Sequence, residues 1–368
     1  MLDFTSALYL GFQHPSGSAL PWNALALGRP ASLDEPPGAM TVAAELAALQ
    51  GCEAATMLPS TLHLFWDLFG VLRRRDTMIY IEATTYPIAC WGVERGASLG
   101  MPVHTFASGD AAGLERLIGC TPGHHRRPLI VCDGLRPGSD RQPALVQYAS
   151  LAARHGGYLI LDDTQALGVL GHGAQAAAPL GWGGGGSLQH YALGDAHILV
   201  GASLAKAFGV PVAVLSGSRS MVRLFEERSQ TRVHTSPPSM AVIQAARHAL
   251  ALNRRCGDAL RLRLSQRIQQ FRRGLAQLYL RTTGGDFPVQ TLASVKGLEA
   301  VALHAGLLDR RVRTVLHRNG NTGGARISFL LTAAHTTGCI EKAIAALAHA
   351  VRALRRRGDT STPLLEAS

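Results

Sequence analysis

The stretch "HILVGASLAKAFGVPVAVLSG", residues 197–217, decides how this chain is read. Two apolar runs, "HILVGAS" and "PVAVLSG", have the length and composition of buried strands. Between them sits Lys206, in a stretch of small and apolar residues. The chain carries 36 Lys plus Arg, yet only Lys206, Lys296 and Lys342 are lysines. A half-buried amine costs stability unless it is paired, neutral or covalently used.

Working outward, the same alternation recurs. "TMIYIEA", "MPVHTFA", "PLIVCDG" and "GYLILDD" read as further strands. "TVAAELAALQG", "TLHLFWDLFGVLRRRD", "DAAGLERLIG" and "ALVQYASLAARHG" have helical spacing. Short apolar strands alternating with helices predict an α/β fold, a mostly parallel central sheet covered by helices. In such sheets ligands sit at the carboxyl ends of strands. Two ends stand out: "DD" after "GYLIL", and Lys206 after "HILVGAS". "GWGGGGS" at 181–187 reads as a flexible surface connection, because its glycines lack the spacing of a phosphate loop.

Residues 1–40, with five prolines, read as an N-terminal arm. Residues 41–255 read as the large α/β domain and 256–368 as a smaller C-terminal α+β domain. Long helices are expected from about Pro238 to Arg254 and from about Asp258 to Tyr279. Beyond them come "FPVQTLAS", "GARISFLL" and the helix "CIEKAIAALAHAVRALRRR".

Composition narrows the classes. Hydrophobic residues make up 47% and charged residues 17%, enough apolar surface for a core. The formal net charge is +11, nearly all of it arginine. No compact basic run carries interleaved aromatics, so a nucleic-acid partner is not expected, and "RALRRRG" at 352–358 reads as a solvated helix face. The six cysteines form no CxxC pair and most lie in apolar contexts, as expected of reduced thiols in a cytoplasmic protein with no metal site. No signal segment and no run of transmembrane length is apparent, so no membrane partner is expected.

Asp162 follows the strand "YLIL". A bare carboxylate there is costly unless it pairs with a cation, and Lys206 lies after another strand. Pyridoxal phosphate suits both groups: its aldehyde condenses with a lysine and its ring nitrogen needs an anionic partner. A buried Asp–Lys ion pair with no cofactor fits the pattern equally well.

The motifs around these residues resemble the α-oxoamine synthases. "LILDDTQALGVLGHGA" is similar to their D-E-A-H-x-x-G-x-x-G segment, and "ASLAKAFG" to T-x-x-K-x-x-G. "ALYLGFQHP" is similar to their N-Y-L-G-L opening. "AELAALQGCEAATMLPST" resembles their helix and phosphate loop, and "ARISFLLTAAHT" their C-terminal R-x-R-x-x-x-[ST]-A-A-H. The order and spacing hold from about residue 7 to 350. The resemblance implies a fold type I pyridoxal phosphate-dependent transferase. It also implies a homodimer with a shared active site, which condenses an amino acid with an acyl thioester and releases CO2.

Carried over by position, the resemblance makes Lys206 the Schiff-base lysine and the residue that moves protons at the substrate α-carbon. It makes Asp162 the partner of the ring nitrogen. Ser203 falls near the phosphate, Ser60 and Thr61 in the phosphate loop, and Tyr86 where the family stacks a histidine on the ring. Thr235 and Ser236, in "HTSPP", match a segment that reaches the second subunit's phosphate. Taken singly, Ser60 and Ser203 also fit simple helix caps, Tyr86 ordinary core, and Thr235 and Ser236 a turn before a helix.

The pattern breaks at the substrate side. Gln165 stands where a histidine contacts the cofactor's phenolic oxygen; it can donate a hydrogen bond but does not titrate near neutral pH. Arg326 keeps the first basic position of the C-terminal motif, but Ser328 replaces the second, which binds the substrate carboxylate. "GLRPGSD" replaces an S-M-D-G turn and puts Arg136 where serine is usual. Arg326, Ser328 and Arg136 are therefore the candidate substrate-binding residues. These departures leave open a pyridoxal phosphate-dependent aminotransferase acting on an unusual amine. The acyl carrier, coenzyme A or a carrier protein, is also open. A non-catalytic partner subunit is the alternative of another class, and the presence of Lys206 argues against it.

Overall fold

The computed structural model describes residues 1–18, 21–120, 127–194, 196–294, 298–318 and 324–359; Lys296 lies outside them. The chain divides into two compact units. One comprises residues 11–136 and 141–259, the other residues 1–10, 137–140 and 260–368.

The chain opens with β1 (Leu2–Asp3), which belongs to the second unit. The larger unit then alternates α1 (Ala39–Gln50), β2 (Ala54–Leu58), α2 (Thr61–Leu72), β3 (Thr77–Glu82), α3 (Pro87–Ser98), β4 (Val103–Phe106), α4 (Ala111–Cys120), β5 (Arg127–Asp133), α5 (Leu145–Arg154) and β6 (Tyr158–Asp162). It continues with the short α6 (Ser187–His190), β7 (Ile198–Ser203), β8 (Ala213–Gly217), α7 (Arg219–Arg228), α8 (Gln230–His234) and α9 (Met240–Leu252). Its seven strands lie in the order β2-β8-β7-β6-β5-β3-β4. β4, β3, β5, β6 and β7 run parallel, and β8 is antiparallel to both its neighbours. The sheet is thus mostly parallel, as the sequence predicts. β2 is the one strand of this sheet that the sequence reading leaves inside a phosphate-loop segment.

The central strands are apolar without interruption because both faces are covered. Successive residues go to opposite cores. Ile79, Val131 and Ile160 pack with Leu64, Phe65 and Phe69 on the face of α2 and α3. Tyr80, Ile130 and Leu161 pack with Leu114, Tyr148 and Leu151 under α4 and α5. α2 and α3 approach closely at Gly92: a Cβ there would stand 2.4 Å from the Phe65 carbonyl oxygen.

Residues 181–187 correct the sequence reading. They are not a flexible surface connection: Gly181 and Gly184–Ser187 are buried. His172 and Trp182 form a bridge, and Ser187 bonds Asp163 through its N–H at 2.9 Å and its hydroxyl at 2.5 Å. Gly186 has φ +81°, and a Cβ there would meet the Asp163 carboxylate at 2.1 Å. The glycines serve close backbone approach rather than freedom.

The smaller unit contains α10 (Asp258–Ala276, mostly), β9 (Thr282–Thr283), β10 (Val289–Leu292), α11 (Ala300–Asp309), β11 (Val312–Arg313), β12 (Val315–Arg318), β13 (Ala325–Leu330) and α12 (Thr337–Asp359). β12-β13-β10-β9 form an antiparallel sheet, and β1 pairs with β11 in parallel. A π-helical turn at Asn253–Gly257 joins α9 to α10.

The first ten residues therefore do not belong to an arm. Phe4 stacks on His335 at 4.4 Å and meets Phe329 edge-on at 5.7 Å. The Thr332 N–H donates to His335 Nδ1 (2.9 Å), which leaves Nε2 as donor to the Asp3 carbonyl (2.9 Å). Burial holds the His335 pKa below its usual value, so the ring stays neutral in this role. Residues 11–40 lie with the larger unit.

Candidate active site

The site is built on the carboxyl ends of β5, β6 and β7. Asp162 ends β6 and is 6% exposed. Its Oδ1 accepts the Thr164 N–H at 3.0 Å. Burial raises its pKa; the bonds from Thr164 and the Lys206 amine pull it back. Thr164 also ties the next strand down, because its hydroxyl oxygen accepts the Ser203 N–H at 3.0 Å.

Lys206 lies in the connection between β7 and β8. That connection is closed by Leu204 N–H to Val212 O at 2.8 Å and Val210 N–H to Leu204 O at 3.0 Å. Burial lowers the Lys206 pKa, and the Asp162 and then the Asp133 carboxylates raise it. An amine whose ammonium form is penalised has a larger free-base fraction, as attack on a carbonyl requires. Lys206 Nζ stands 5.9 Å from the centroid of the Tyr86 ring. Tyr86 precedes α3, with Pro87 at the first helical position, and its side chain is 54% exposed.

Ser203 Oγ accepts the Ala205 N–H at 3.2 Å, on the strand that leads to Lys206. Gln165, partly buried, lies in the turn after β6, three residues past Asp162. Ser60 is the N-cap of α2. Its hydroxyl is paired with His63 Nδ1 (2.8 Å) rather than with a backbone N–H, and Thr61 is the first helical residue.

Thr235 and Ser236 follow α8. The Thr235 hydroxyl donates to the Thr231 carbonyl at 2.7 Å, and Ser236 is exposed. Helix α9 starts at Met240, capped by Ser239, slightly later than the sequence suggests. α8 is pinned to α2 by Asp67, which the sequence reading missed. Buried Asp67 accepts from Ser229 Oγ (2.6 Å), Thr231 N (2.6 Å) and Thr231 Oγ1 (2.7 Å) through one carboxylate oxygen. Buried Arg232 adds an ion pair to Glu35 at 2.7 Å. The candidate phosphate loop and the segment bearing Thr235 are thus one fixed piece of the larger unit.

Asp133 was also missed. It ends β5 as Asp162 ends β6, and the two are register partners. The Tyr86 N–H donates to its Oδ1 at 3.0 Å. The signal was in the sequence: "VCDG" is an apolar strand ending in an acid, like "LILDD".

Arg136 lies in the loop after β5, where its N–H donates to Gln142 Oε1 at 2.9 Å. The other two substrate candidates belong to the smaller unit. Arg326 is exposed on β13. Ser328, two residues on, is fully buried, and its hydroxyl pairs with Thr291 Oγ1 at 2.7 Å. That hydroxyl is engaged inside the small sheet.

Residues 138–347 match the family model described as aminotransferase class I and II. An 8-amino-7-oxononanoate synthase of Dechloromonas aromatica is 31% identical over 75% of this chain and 69% of its own length. The chain belongs to the class I and II aminotransferase family, in its α-oxoamine synthase branch.

An 8-amino-7-oxononanoate synthase of Thioalkalivibrio sulfidiphilus is 29% identical over 71% of this chain, and the match spans 64% of that relative. The serine palmitoyltransferase of Sphingomonas wittichii has the same fold: TM-score 0.82, 16% identity, 96% of this chain and 88% of that one covered. The site residues fit the cofactor of an α-oxoamine synthase of this fold type. An amine with depressed basicity faces a buried carboxylate, an aromatic ring stands near the amine, and hydroxyls gather where a 12-residue helix begins.

Proposed function

We propose that this chain is a pyridoxal phosphate-dependent acyltransferase. It joins an amino acid to the acyl group of a thioester; a C–C bond forms, and CO2 and the free thiol leave. The carrying observation is the pair Asp162 and Lys206 at neighbouring strand ends, each perturbing the other's ionisation.

When bound, the cofactor supplies a ring that spreads the electron pair left at the substrate α-carbon. The chain's residues do the rest. Lys206 would hold the cofactor covalently, and its amine would carry the proton at the substrate α-carbon. Asp162 accepts the ring N–H and keeps the proton there. Tyr86 covers one face of the ring. Gln165 donates to the phenolic oxygen. Ser60, Thr61 and Ser203 bond the phosphate, aided by the start of α2.

Thr235 and Ser236 serve the second subunit's phosphate in a homodimer. Exposed Leu62, Trp66 and Trp91 on α2 and α3 support such an association, since large apolar groups exposed on adjacent helices favour a covered face. The six free cysteines suit a reducing compartment such as the cytoplasm. No described helix is long and apolar enough to cross a membrane.

Arg326 and Arg136 are the cations proposed for the anionic parts of the substrates, the acyl carrier being coenzyme A or an acidic carrier protein. Engagement of the Ser328 hydroxyl by Thr291 favours a second reading, an aminotransferase acting on an amine without the usual carboxylate clamp. The visible absorption spectrum of protein with added pyridoxal phosphate, beside Lys206→Ala, tests the shared premise. A band in the wild type that the variant lacks is expected; no band in either sinks both readings. Thiol release that requires both amino acid and acyl thioester then selects condensation. Conversion to the pyridoxamine form without thioester selects transamination.

A further inference from the structure

Asp133 and Asp162 are register partners on adjacent parallel strands, so their side chains leave the sheet on the same side. Cys132 and Leu161 point into the core under α4 and α5, which puts both carboxylates on the face of α2 and α3. Asp162 is bonded by Thr164, whereas Asp133 receives the Tyr86 main-chain N–H at 3.0 Å. Tyr86 carries the ring that stands 5.9 Å from Lys206 Nζ. Asp133 thus touches the backbone of one site residue and faces the charge of two others.

We propose that Asp133 is a positioning residue of this site: it fixes Tyr86 beside Lys206, and its charge state sets the field that the Lys206 amine meets. The proposal rests on the cofactor reading above.

Several groups act on Asp133. Asp162 lies beside it on β6, the Lys206 amine in the loop after β7, and the Cys90 thiol on α3; Glu82 of β3 is on the opposite face, where it accepts from the Tyr148 hydroxyl at 2.9 Å, and acts through the sheet, and Cys132 is its chain neighbour. Burial and then Asp162 push the Asp133 carboxyl up to about 7, against the pull of the Tyr86 N–H and Lys206. Two carboxylates this close titrate as a pair. Asp162 draws more hydrogen bonding, from both the main chain and the side chain of Thr164. Asp133 is accordingly the member that takes up the proton. Gln165 cannot titrate, and Asp163, also pushed up to about 7, is turned to Ser187; of the two carboxylates that act on Lys206, the one that changes charge near neutral pH is therefore Asp133. Below about pH 7 Lys206 faces one carboxylate; above it, two. The second anion favours the ammonium and keeps the amine more basic.

The test compares wild type, Asp133→Asn and Asp133→Ala in two measurements. In the first, apoprotein is acetylated with trace acetic anhydride across pH 6–10, and the Lys206 peptide is quantified. Asn keeps an acceptor for Tyr86 and removes the charge. Its Lys206 midpoint is expected about one unit lower, so the amine reacts roughly fivefold faster one unit below the wild-type midpoint. An unchanged midpoint overturns the electrostatic role, whether or not the protein binds pyridoxal phosphate. In the second, pyridoxal phosphate binding is measured by equilibrium dialysis. Asn is expected to stay within about twofold of wild type and Ala to bind about tenfold more weakly, because it frees the Tyr86 N–H. Equal affinities for Asn and Ala overturn the positioning role. Failure of the wild type itself to bind identifies failure of the cofactor reading instead. Asn removes a buried charge and preserves shape, so the first comparison survives should the Ala variant not fold.

Discussion

Replacing Asp67 with Asn probes the joint between the candidate phosphate loop and α8. One carboxylate oxygen accepts from Ser229 Oγ, Thr231 N and Thr231 Oγ1 at 2.6–2.7 Å. Hydrogen bonds to an ionised acceptor contribute about 1.5–3 kcal/mol each, and neutral ones about 1 kcal/mol. An asparagine oxygen has two lone pairs and its NH2 accepts nothing. Two bonds survive in neutral form, and one buried donor is left without an acceptor. Three charged bonds near 2 kcal/mol become two near 1 kcal/mol, a loss of roughly 4 kcal/mol. Relief of carboxylate burial returns part of this, so the expected net cost is about 3 kcal/mol. For a unit of this size that is a fall in Tm of about 6–12 °C by circular dichroism. Ser229→Ala should cost about 2 kcal/mol, since it removes one charged bond and the cap on the Arg232 N–H, and the double variant should fall short of the sum, because both changes act on one network. A shift under about 2 °C for Asp67→Asn would refute the reasoning: α2 and α8 would then be held by packing alone.

Asp163 offers a test by pH. Burial raises its pKa from 3.8 to about 7. Between those values the folded chain keeps a proton that the unfolded chain has released. This contribution is fully present below about pH 4 and is lost as pH rises to about 7. Asp163→Asn should remove up to about 1.4 kcal/mol per pH unit of that slope, read from urea midpoints at pH 5, 6 and 7; parallel slopes would contradict it. His335→Ala should release the first residues of the chain, raising hydrogen exchange at Leu2 and Phe4, whose N–H groups bond Arg311 and Arg313. Unchanged protection there would assign the anchoring to Phe4 packing alone. Gly92→Ala should destabilise by at least about 2 kcal/mol in spite of alanine's better helix propensity, because its Cβ meets the Phe65 carbonyl. A neutral or stabilising effect in thermal melts would show that α2 yields freely.

Strands buried on both faces read as plain apolar runs, so β3, β5, β6 and β7 were legible from composition and length. β2, "AATML", was not: it is short, begins with alanines and directly precedes the α2 cap. The glycines of "GWGGGGS" look alike whether they supply freedom or close packing; only the position of Asp163 and the Leu49 backbone distinguishes the two. The first ten residues join the smaller unit through partners more than 300 positions away, which no local pattern encodes. In the site, Lys206 and Asp162 stood out because a charge after an apolar strand is costly. The same rule applied to "VCDG" would have marked Asp133. Asp67 escaped because an acid on an amphipathic helix ordinarily marks the solvated face, and here it is turned inward.

The connection that carries Lys206 leaves one antiparallel strand and re-enters the next, stitched across its base by Leu204, Val210 and Val212. A segment clamped at both ends cannot lengthen or shorten without shifting the register of β7 against β8, and with it every side chain on those strands. Insertions and deletions are therefore closed to variation here. New substrate scope in a laboratory lineage should come through point changes elsewhere, with residues 204–212 held constant in length from parent to descendant.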